Sequence, residues 1–145
     1  MLNPDRGIAL FTDGSGHHID RSGGWAWCAI DCFDNEEVGS GHESDTTNNR
    51  MEMQAWIEGL NHLVETLGPC DVLVYCDSQL VGYGVTGKYR RRKNLDLWFE
   101  MDAAIERHHY IEFVWVKGHH ESHYNHLVDE LAGNARKVGR DECKA

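Results

Sequence analysis

The sequence predicts an α/β fold in which a five-stranded mixed sheet carries helices on both faces. The evidence is a set of short apolar runs bounded by turn residues, a set of runs with helical spacing, and their order: three strands, helix, strand, helices, strand, helix. Short turns favour antiparallel pairing of strands 1–3, and intervening helices favour parallel pairing of the later strands. At 145 residues, we expect one domain over residues 1–145, with its core from about residue 7 to 138 and short flexible tails.

Three predicted strands occupy the first third of the chain. Residues 7–12 form an apolar run that ends at the turn-like sequence Asp-Gly-Ser-Gly, residues 13–16, so the first strand is expected to stop there. Residues 25–30 are apolar and follow a Gly-rich loop, and residues 36–42 follow an Asp-Asn turn. Together they predict an antiparallel meander.

Helical spacing covers residues 49–67 and ends at Gly68 and Pro69. Its apolar stripe consists of Met53, Trp56, Leu60, Leu63, Val64 and Leu67. Residues 71–76 are mostly apolar, which is typical of a parallel strand buried on both faces, and another helix is expected to start at Asp77. A helix over residues 94–108, a strand over 111–116 and a helix over 125–137 complete the pattern.

Composition excludes some classes of protein. No apolar run reaches the roughly 18 residues of a membrane span, and the N-terminus lacks a basic segment followed by an apolar one, so a cytoplasmic location is expected. The five cysteines are odd in number, and Cys28 and Cys76 lie in predicted strands, so reduced packing residues explain them better than disulfides.

The formal net charge of −10 argues, taken alone, against a nucleic-acid partner, because phosphates repel an acidic surface. The basic residues are concentrated, however. The segment KYRRRK, which we call the basic segment, supplies Lys88, Arg90, Arg91, Arg92 and Lys93. A charge run is usually a solvated face, and phosphate binding is the alternative.

Four carboxylates form the candidate site. Asp13 and Asp77 each follow an apolar strand, a position that lines the ligand crevice of an open α/β sheet, although turn or N-cap aspartates are the alternative. Glu52 lies four residues before Trp56 on the helix face expected to be buried, unless it is a first-turn glutamate stabilised by the helix dipole. Asp129 lies beside the apolar stripe of the last helix. Carboxylates of this kind bind hard cations, and two such ions suit phosphodiester hydrolysis.

Six motifs resemble those of type I ribonuclease H, in the family's order, from about residue 7 to 137. They are FTDGSG (11–16), TTNNRMEMQA (46–55), YCDSQLV (75–81), DLWFEMDAAI (96–105), WVKGH (115–119) and NHLVDELA (125–132). The resemblance implies the ribonuclease H-like fold and an endonuclease that hydrolyses the RNA strand of RNA/DNA hybrids, leaving 5'-phosphate and 3'-hydroxyl ends. It implies two Mg2+ ions, with Mn2+ as a substitute, bound by Asp13, Glu52, Asp77 and Asp129, and a role in turnover for His119.

The resemblance also implies contacts with the hybrid and little sequence preference. The RNA backbone would be approached by Gly14, Ser15 and Gly16, and the minor groove would be lined by Asn48, Asn49 and Gln79. A DNA phosphate would be contacted by Thr47, and Asn125 would be a further contact with the hybrid. We also assign phosphate binding to the basic segment, so replacing its three arginines together by Ala is expected to weaken hybrid binding and flatten its salt dependence.

Three features depart from the family pattern. Asp45 stands where many bacterial relatives have a basic residue that helps to hold the DNA phosphate. The first loop, GSGHHIDRSGG, lacks the usual prolines and cysteine-containing turn. Only nine residues separate Val85 from Leu95, which leaves no room for the basic helix and loop of those relatives. The basic segment is expected to replace that protrusion.

The ten histidines raise the question of zinc, above all His119, His120, His123 and His126. Their spacing is not HExxH and no cysteine lies near, so the last three are expected to be polar loop and helix-surface residues. Two other readings remain open: another nuclease or strand-transfer enzyme of the same superfold, and a non-catalytic hybrid-binding module. The expected oligomeric state is a monomer, with no membrane partner.

Overall fold

The structure, a computed structural model, describes residues 1–117 and 122–144. Within these residues it contains five strands and four helices. In chain order they are β1 (Ile8–Gly16), β2 (Gly23–Ile30), β3 (Glu36–Glu43), α1 (Asn48–Leu67), β4 (Asp71–Cys76), α2 (Gln79–Thr86), α3 (Leu95–Glu106), β5 (Tyr110–Trp115) and α4 (His123–Lys144).

The five strands form one sheet in the order β3-β2-β1-β4-β5. Pairing is antiparallel between β1 and β2 and between β2 and β3, and parallel between β1 and β4 and between β4 and β5. The predicted five-stranded mixed sheet is therefore confirmed. Its central strand is β1, which pairs with an antiparallel neighbour on one side and a parallel one on the other.

Helices cover both faces of the sheet, as predicted. Alternate residues of a strand point to opposite faces, and in β2 Trp27 packs in the core that includes α1 and α3. Its neighbours Ala26 and Cys28 pack instead against Val128 and Ala132 of α4. The apolar stripe predicted for α1 is likewise at the centre of its core, with Met53, Trp56, Leu60 and Leu63 all buried.

Several element boundaries differ from the prediction, among them those of β1, α2 and α4. The strand β1 does not stop before Asp13 but continues to Gly16, because its backbone goes on pairing with β2 up to Gly23. The helix α2 starts at Gln79, since the side chain of Ser78 caps it by accepting a hydrogen bond from the Val81 amide. The helix α4 runs on to Lys144.

The five cysteines are free thiols, as predicted. Packing explains Cys28, Cys70 and Cys76, which are buried, but not Cys32 and Cys143, which are exposed. Among the residues that the structure describes, no helix combines the length and the apolar character needed to cross a membrane.

Candidate active site

The four predicted carboxylates come from four different elements and meet at one place. Asp13 lies within β1, Glu52 in the second turn of α1, Asp77 directly after β4 and Asp129 in α4. The side chain of Asp13 is in hydrogen-bonding contact with those of Glu52 and Asp129. Carboxylate oxygens of Glu52 and Asp77 lie within 4.8 Å of each other. The structure thus brings together all four residues that the sequence singled out.

The cluster opens to solvent on one side only. Asp13 and Glu52 are 8% and 4% exposed, whereas Asp77 and Asp129 are exposed. A cavity of about 80 Å³ lies between them and is lined by Asp13, Asp77 and Asp129. The site therefore has a buried floor and an open rim, which suits a group that binds from solvent.

Burial and mutual repulsion both act on the inner pair of carboxylates. The pKa of Asp13 is raised, chiefly by burial, and the charges of Asp77 and Asp129 add to the increase. Burial also raises the pKa of Glu52 well above its usual value, followed by the charges of Asp13 and Asp77. A backbone hydrogen bond from Gly14 partly offsets the effect on Glu52. Four carboxylates held this way favour a cation among them.

The close approach of β1 and α1 places Glu52 beside Asp13. A β-carbon on Gly14 would overlap the backbone at Met51 and Glu52, and one on Gly16 would overlap the backbone at Asn48. Glycine at these positions therefore permits the contact. The backbone amide of Gly14 also donates to Oδ1 of Asp13 at 2.9 Å, which fixes that carboxylate.

The predicted backbone and groove contacts lie beside this junction. The amide of Gly16 donates to Oδ1 of Asn48 at 3.1 Å, so two of the predicted contact residues are joined. The side chain of Thr47, assigned to a DNA phosphate, caps α1 by accepting from the Arg50 amide at 3.2 Å. Ser15 is half-buried in β1, and Gln79 opens α2.

A second cavity, of about 300 Å³, connects α1 to the basic segment. Asn49 lies on its α1 side, and Arg90, Arg92 and Lys93 lie on the other. These three basic side chains and Lys88 are exposed. Lys88 lies over the ring of Tyr83, with its Nζ 4.3 Å from the ring centroid.

Arg91, assigned to phosphate binding with the rest of the basic segment, already has partners within the protein. Its guanidinium forms a two-pronged ion pair with Asp102, at 2.6 and 2.8 Å, and donates to the Gly84 carbonyl at 3.0 Å. It also lies 4.2 Å from the centroid of the Trp98 ring. The physical reason is that a planar, multi-donor cation beside a carboxylate and an indole is held by both. Arg91 anchors the basic segment to α2 and α3, whereas Lys88, Arg90, Arg92 and Lys93 are exposed.

Asp45, the first departure from the family pattern, has a basic partner. Its Oδ1 accepts from Nε of Arg21 at 2.6 Å, and both side chains are exposed. The backbone amide of Thr46 donates to the Arg21 carbonyl, which joins the two loops. Arg21 thus neutralises the charge of Asp45, and no pattern in the sequence pointed to this residue.

One residue that lines the cavity was not expected there. His126, expected to be an ordinary helix-surface residue, lines the cavity together with Asn125, Thr12 and Asp129. Its three-residue spacing from Asp129 on α4 was the signal that both share one helix face. His119, assigned a role in turnover, lies outside the described residues.

Cys76 is the other residue that the sequence did not single out. Among residues 1–117 and 122–144, one group of potential metal ligands has all its ligand atoms within 4.8 Å of one another, and it consists of Glu52, Cys76 and Asp77. The predicted absence of a zinc site among the later histidines concerns residues only partly described, and it stays a prediction.

The fold and the site together define the ribonuclease H-like class of α/β proteins. In that class a mixed five-stranded sheet has carboxylates on its central strand, at a neighbouring strand and on two flanking helices. A family model described as RNase H matches residues 5–137. The chain is 42% identical over 141 residues to a ribonuclease H of Tolumonas auensis, covering 88% of each protein. It is 38% identical to a ribonuclease H of Janthinobacterium, covering 90% of this chain and 96% of the relative.

Solved structures agree with these sequence matches. The N-terminal RNase H domain of a Mycobacterium tuberculosis protein superposes with a TM-score of 0.83 at 21% identity, covering 94% of this chain and 97% of the other. A ribonuclease H1 solved in complex with an RNA/DNA hybrid, LC11-RNase H1, superposes with a TM-score of 0.79 at 24% identity, covering 91% and 98%. At these identities the structural matches show the fold. With the sequence matches, they establish that the chain belongs to the ribonuclease H family and is an enzyme of that family.

Proposed function

We propose that this enzyme is an endonuclease that hydrolyses the RNA strand of RNA/DNA hybrids, using two divalent ions and leaving 5'-phosphate and 3'-hydroxyl ends. The observation that carries the proposal is the meeting of Asp13, Glu52, Asp77 and Asp129 in one half-buried cluster. Carboxylates far apart in sequence have little structural reason to converge, because their mutual repulsion costs stability.

The donor set fits hard divalent cations. Burial and like charges raise the pKa of both Asp13 and Glu52, and a cation among them would reverse that effect. Mg2+, with Mn2+ as a substitute, would be held by the four carboxylates and would supply activation of water and charge neutralisation for phosphodiester hydrolysis. Two ions per site remain part of the proposal.

The remaining residues position the substrate. Gly14 and Gly16 bring β1 against the start of α1, and Asn48 is fixed there by accepting a hydrogen bond from the Gly16 amide. Asn125 and His126, beside Asp129, offer polar groups at the cavity. Contacts of this type recognise groove shape and 2'-hydroxyls, so we expect low sequence preference.

The basic segment supplies the phosphate-binding surface on this acidic protein. Arg90, Arg92 and Lys93 line the cavity whose other side carries Asn49, and these three residues and Lys88 are exposed. This cavity lies between the start of α1 and the basic segment, so one strand of a hybrid bound there would contact both. We assign this strand to the DNA, and Thr47 with the nearby Arg21 to one of its phosphates.

The test is incubation of the purified protein with labelled RNA/DNA hybrid, RNA duplex and DNA duplex, with Mg2+ or Mn2+ and with or without EDTA. We expect cleavage of RNA in the hybrid alone, and only with the metal. The 5' and 3' ends are identified by their response to phosphatase and to RNA ligase. Cleavage of either homoduplex at the same rate, or cleavage in EDTA, contradicts the proposal.

A matched pair of variants connects the cleavage to the carboxylate cluster. Asp129→Asn keeps the size of the side chain but removes one charge from the cluster, whereas Glu130→Gln changes the next residue on α4. We expect loss of cleavage in the first and retention in the second. Monomeric state and cytoplasmic location stay predictions, which size-exclusion chromatography and cell fractionation test.

A further inference from the structure

A sulfur atom lies within the carboxylate cluster. The Sγ of Cys76 is 3.9 Å from Oε2 of Glu52, to which its thiol donates. The ligand atoms of Cys76, Glu52 and Asp77 lie within 4.8 Å of one another. Cys76 ends β4 and is 1% exposed, behind the exposed Asp77. Cys76 is a buried packing residue, and its position also places one soft ligand atom among the hard carboxylate oxygens.

One N–H group is directed at this sulfur, and a second, unpaired one acts on it. The backbone amide of Ser78 donates to Sγ of Cys76 at 3.3 Å. The indole N–H of Trp56 is fully buried and has no hydrogen-bond partner at bonding distance among the described residues. Burial, and next the charge of Glu52, raise the pKa of the Cys76 thiol, and the N–H groups of Trp56 and Ser78 partly offset that increase. An anionic sulfur would satisfy the unpaired Trp56 donor.

The spacing suits a small tetrahedral ion. With Zn–S near 2.3 Å and Zn–O near 2.1 Å, tetrahedral geometry separates the sulfur and oxygen ligands by roughly 3.6 Å. The separation of 3.9 Å between Sγ and Oε2 needs only a small adjustment of either side chain. Asp77 would be the third ligand, and water from the open side the fourth.

We propose that Cys76, Glu52 and Asp77 bind a thiophilic divalent cation, of the Zn2+ or Cd2+ type, at a site that overlaps the one for the catalytic ions. On binding, the S–H bond of Cys76 breaks, its proton passes to solvent, and a sulfur–metal bond forms. A thiolate selects such ions over Mg2+. Because Glu52 and Asp77 are shared with the catalytic site, the bound ion excludes the hard ions and inhibits hydrolysis. The inhibition rests on the proposed function, whereas the binding does not.

Cadmium binding tests the site without any substrate. Cys32 and Cys143 are first replaced by Ser, because exposed thiols bind cadmium on their own. Titration of this protein with CdCl2 is then followed by the ultraviolet sulfur-to-cadmium charge-transfer band. We expect one equivalent to bind, and Cys76→Ser to weaken the binding by roughly 100-fold or more, since even outer partners of a metal ligand contribute 10- to 100-fold. Cys28→Ala, a buried thiol on the opposite face of the sheet, is the matched control and leaves the titration unchanged.

Two further measurements separate the possible failures. Cadmium NMR of the protein that retains Cys76 gives a chemical shift in the range for one sulfur ligand, and a shift in the all-oxygen range overturns the proposal even if Cys76→Ser fails to fold. A charge-transfer band that persists in folded Cys76→Ser also overturns it. Inhibition of Mg2+-dependent cleavage by CdCl2 is measured last. Binding without any cleavage activity contradicts the proposed function but leaves the cadmium site standing.

Discussion

Gly14 of β1 lies directly against the backbone of Glu52 in α1. A β-carbon on residue 14 would overlap the Glu52 amide nitrogen and come within 2.8 Å of its α-carbon. The obstacle is backbone, which cannot rotate away as a side chain can. The separation between Asp13 and Glu52, and with it the geometry of the carboxylate cluster, therefore depends on the absence of a side chain at residue 14.

Replacing Gly14 by Ala is expected to move α1 away from β1. The variant should lose about 1–3 kcal/mol of unfolding free energy, the usual cost of overpacking, and should need more Mg2+ for half-maximal cleavage. Urea unfolding and a Mg2+ titration of cleavage measure the two effects. Gly133→Ala on α4 is the control, because no described atom lies within 4 Å of a β-carbon built there. Equal behaviour of the two variants would show that the contact is unimportant.

Arg91 and its neighbours are expected to differ in what they contribute. Arg91→Ala removes the Asp102 pair and the Trp98 contact, so it should lower the unfolding free energy by roughly 1–2 kcal/mol. A double-mutant cycle with Asp102→Ala isolates the energy of the pair. Additive losses in that cycle would mean that the ion pair does not stabilise the fold.

The double variant Arg90→Ala/Arg92→Ala should leave stability unchanged and weaken hybrid binding. Both side chains are exposed, and each lost phosphate contact lowers the slope of log affinity against log salt by about 1. Binding of a non-cleavable hybrid at several salt concentrations gives the slope. An unchanged slope refutes phosphate binding by the basic segment.

His119 and Asp13 are expected to contribute to catalysis in different ways. Replacing His119 by Ala should slow turnover without abolishing it, because an imidazole assists proton transfer or product release. Asp13→Asn should abolish cleavage, since it removes a charge from the centre of the cluster. Single-turnover and steady-state rates on the same hybrid measure both. Equal losses would contradict the assigned roles.

His108 makes stability depend on pH. It is buried between α3 and β5, where its Nδ1 accepts from the Cys70 amide at 3.1 Å and its Nε2 lies 2.8 Å from the Leu60 carbonyl. The neutral ring satisfies both bonds, whereas a proton on Nδ1 would face an N–H donor. Burial is the main cause that lowers the pKa of His108 below its usual 6.5.

The sign of the pH effect follows from that shift. As the pH falls below 6.5, the unfolded chain takes up the proton before the folded protein does, so the unfolding free energy decreases. Above 6.5 this contribution is fully present. Urea unfolding of the protein and of His108→Gln from about pH 5 to 8 measures it, because that range brackets the ordinary histidine titration. The same pH slope in both proteins would rule out His108 as the cause.

The sequence by itself determined the sheet, the helices and the four carboxylates. Hydrophobic periodicity shows which face of each element is buried, and it can be read from residues close together in the sequence. The stripe of α1 and the apolar run of β4 are examples. Glu52 stood out for the same reason, because a carboxylate on an apolar face needs a partner that only another element can supply.

Only the tertiary structure decided where β1 ends, which arginine is held, and what surrounds Glu52. Residues 13–16 look like a turn, but pairing with β2 keeps them extended. In the sequence Arg91 cannot be told apart from Arg90 and Arg92. In the folded protein it is distinguished by its contacts with Asp102 and Trp98 of α3. Cys76 and Trp56 come together only in the folded core, where both are buried. In each case the contact that matters joins residues from different elements, and a local sequence pattern does not predict such a partner.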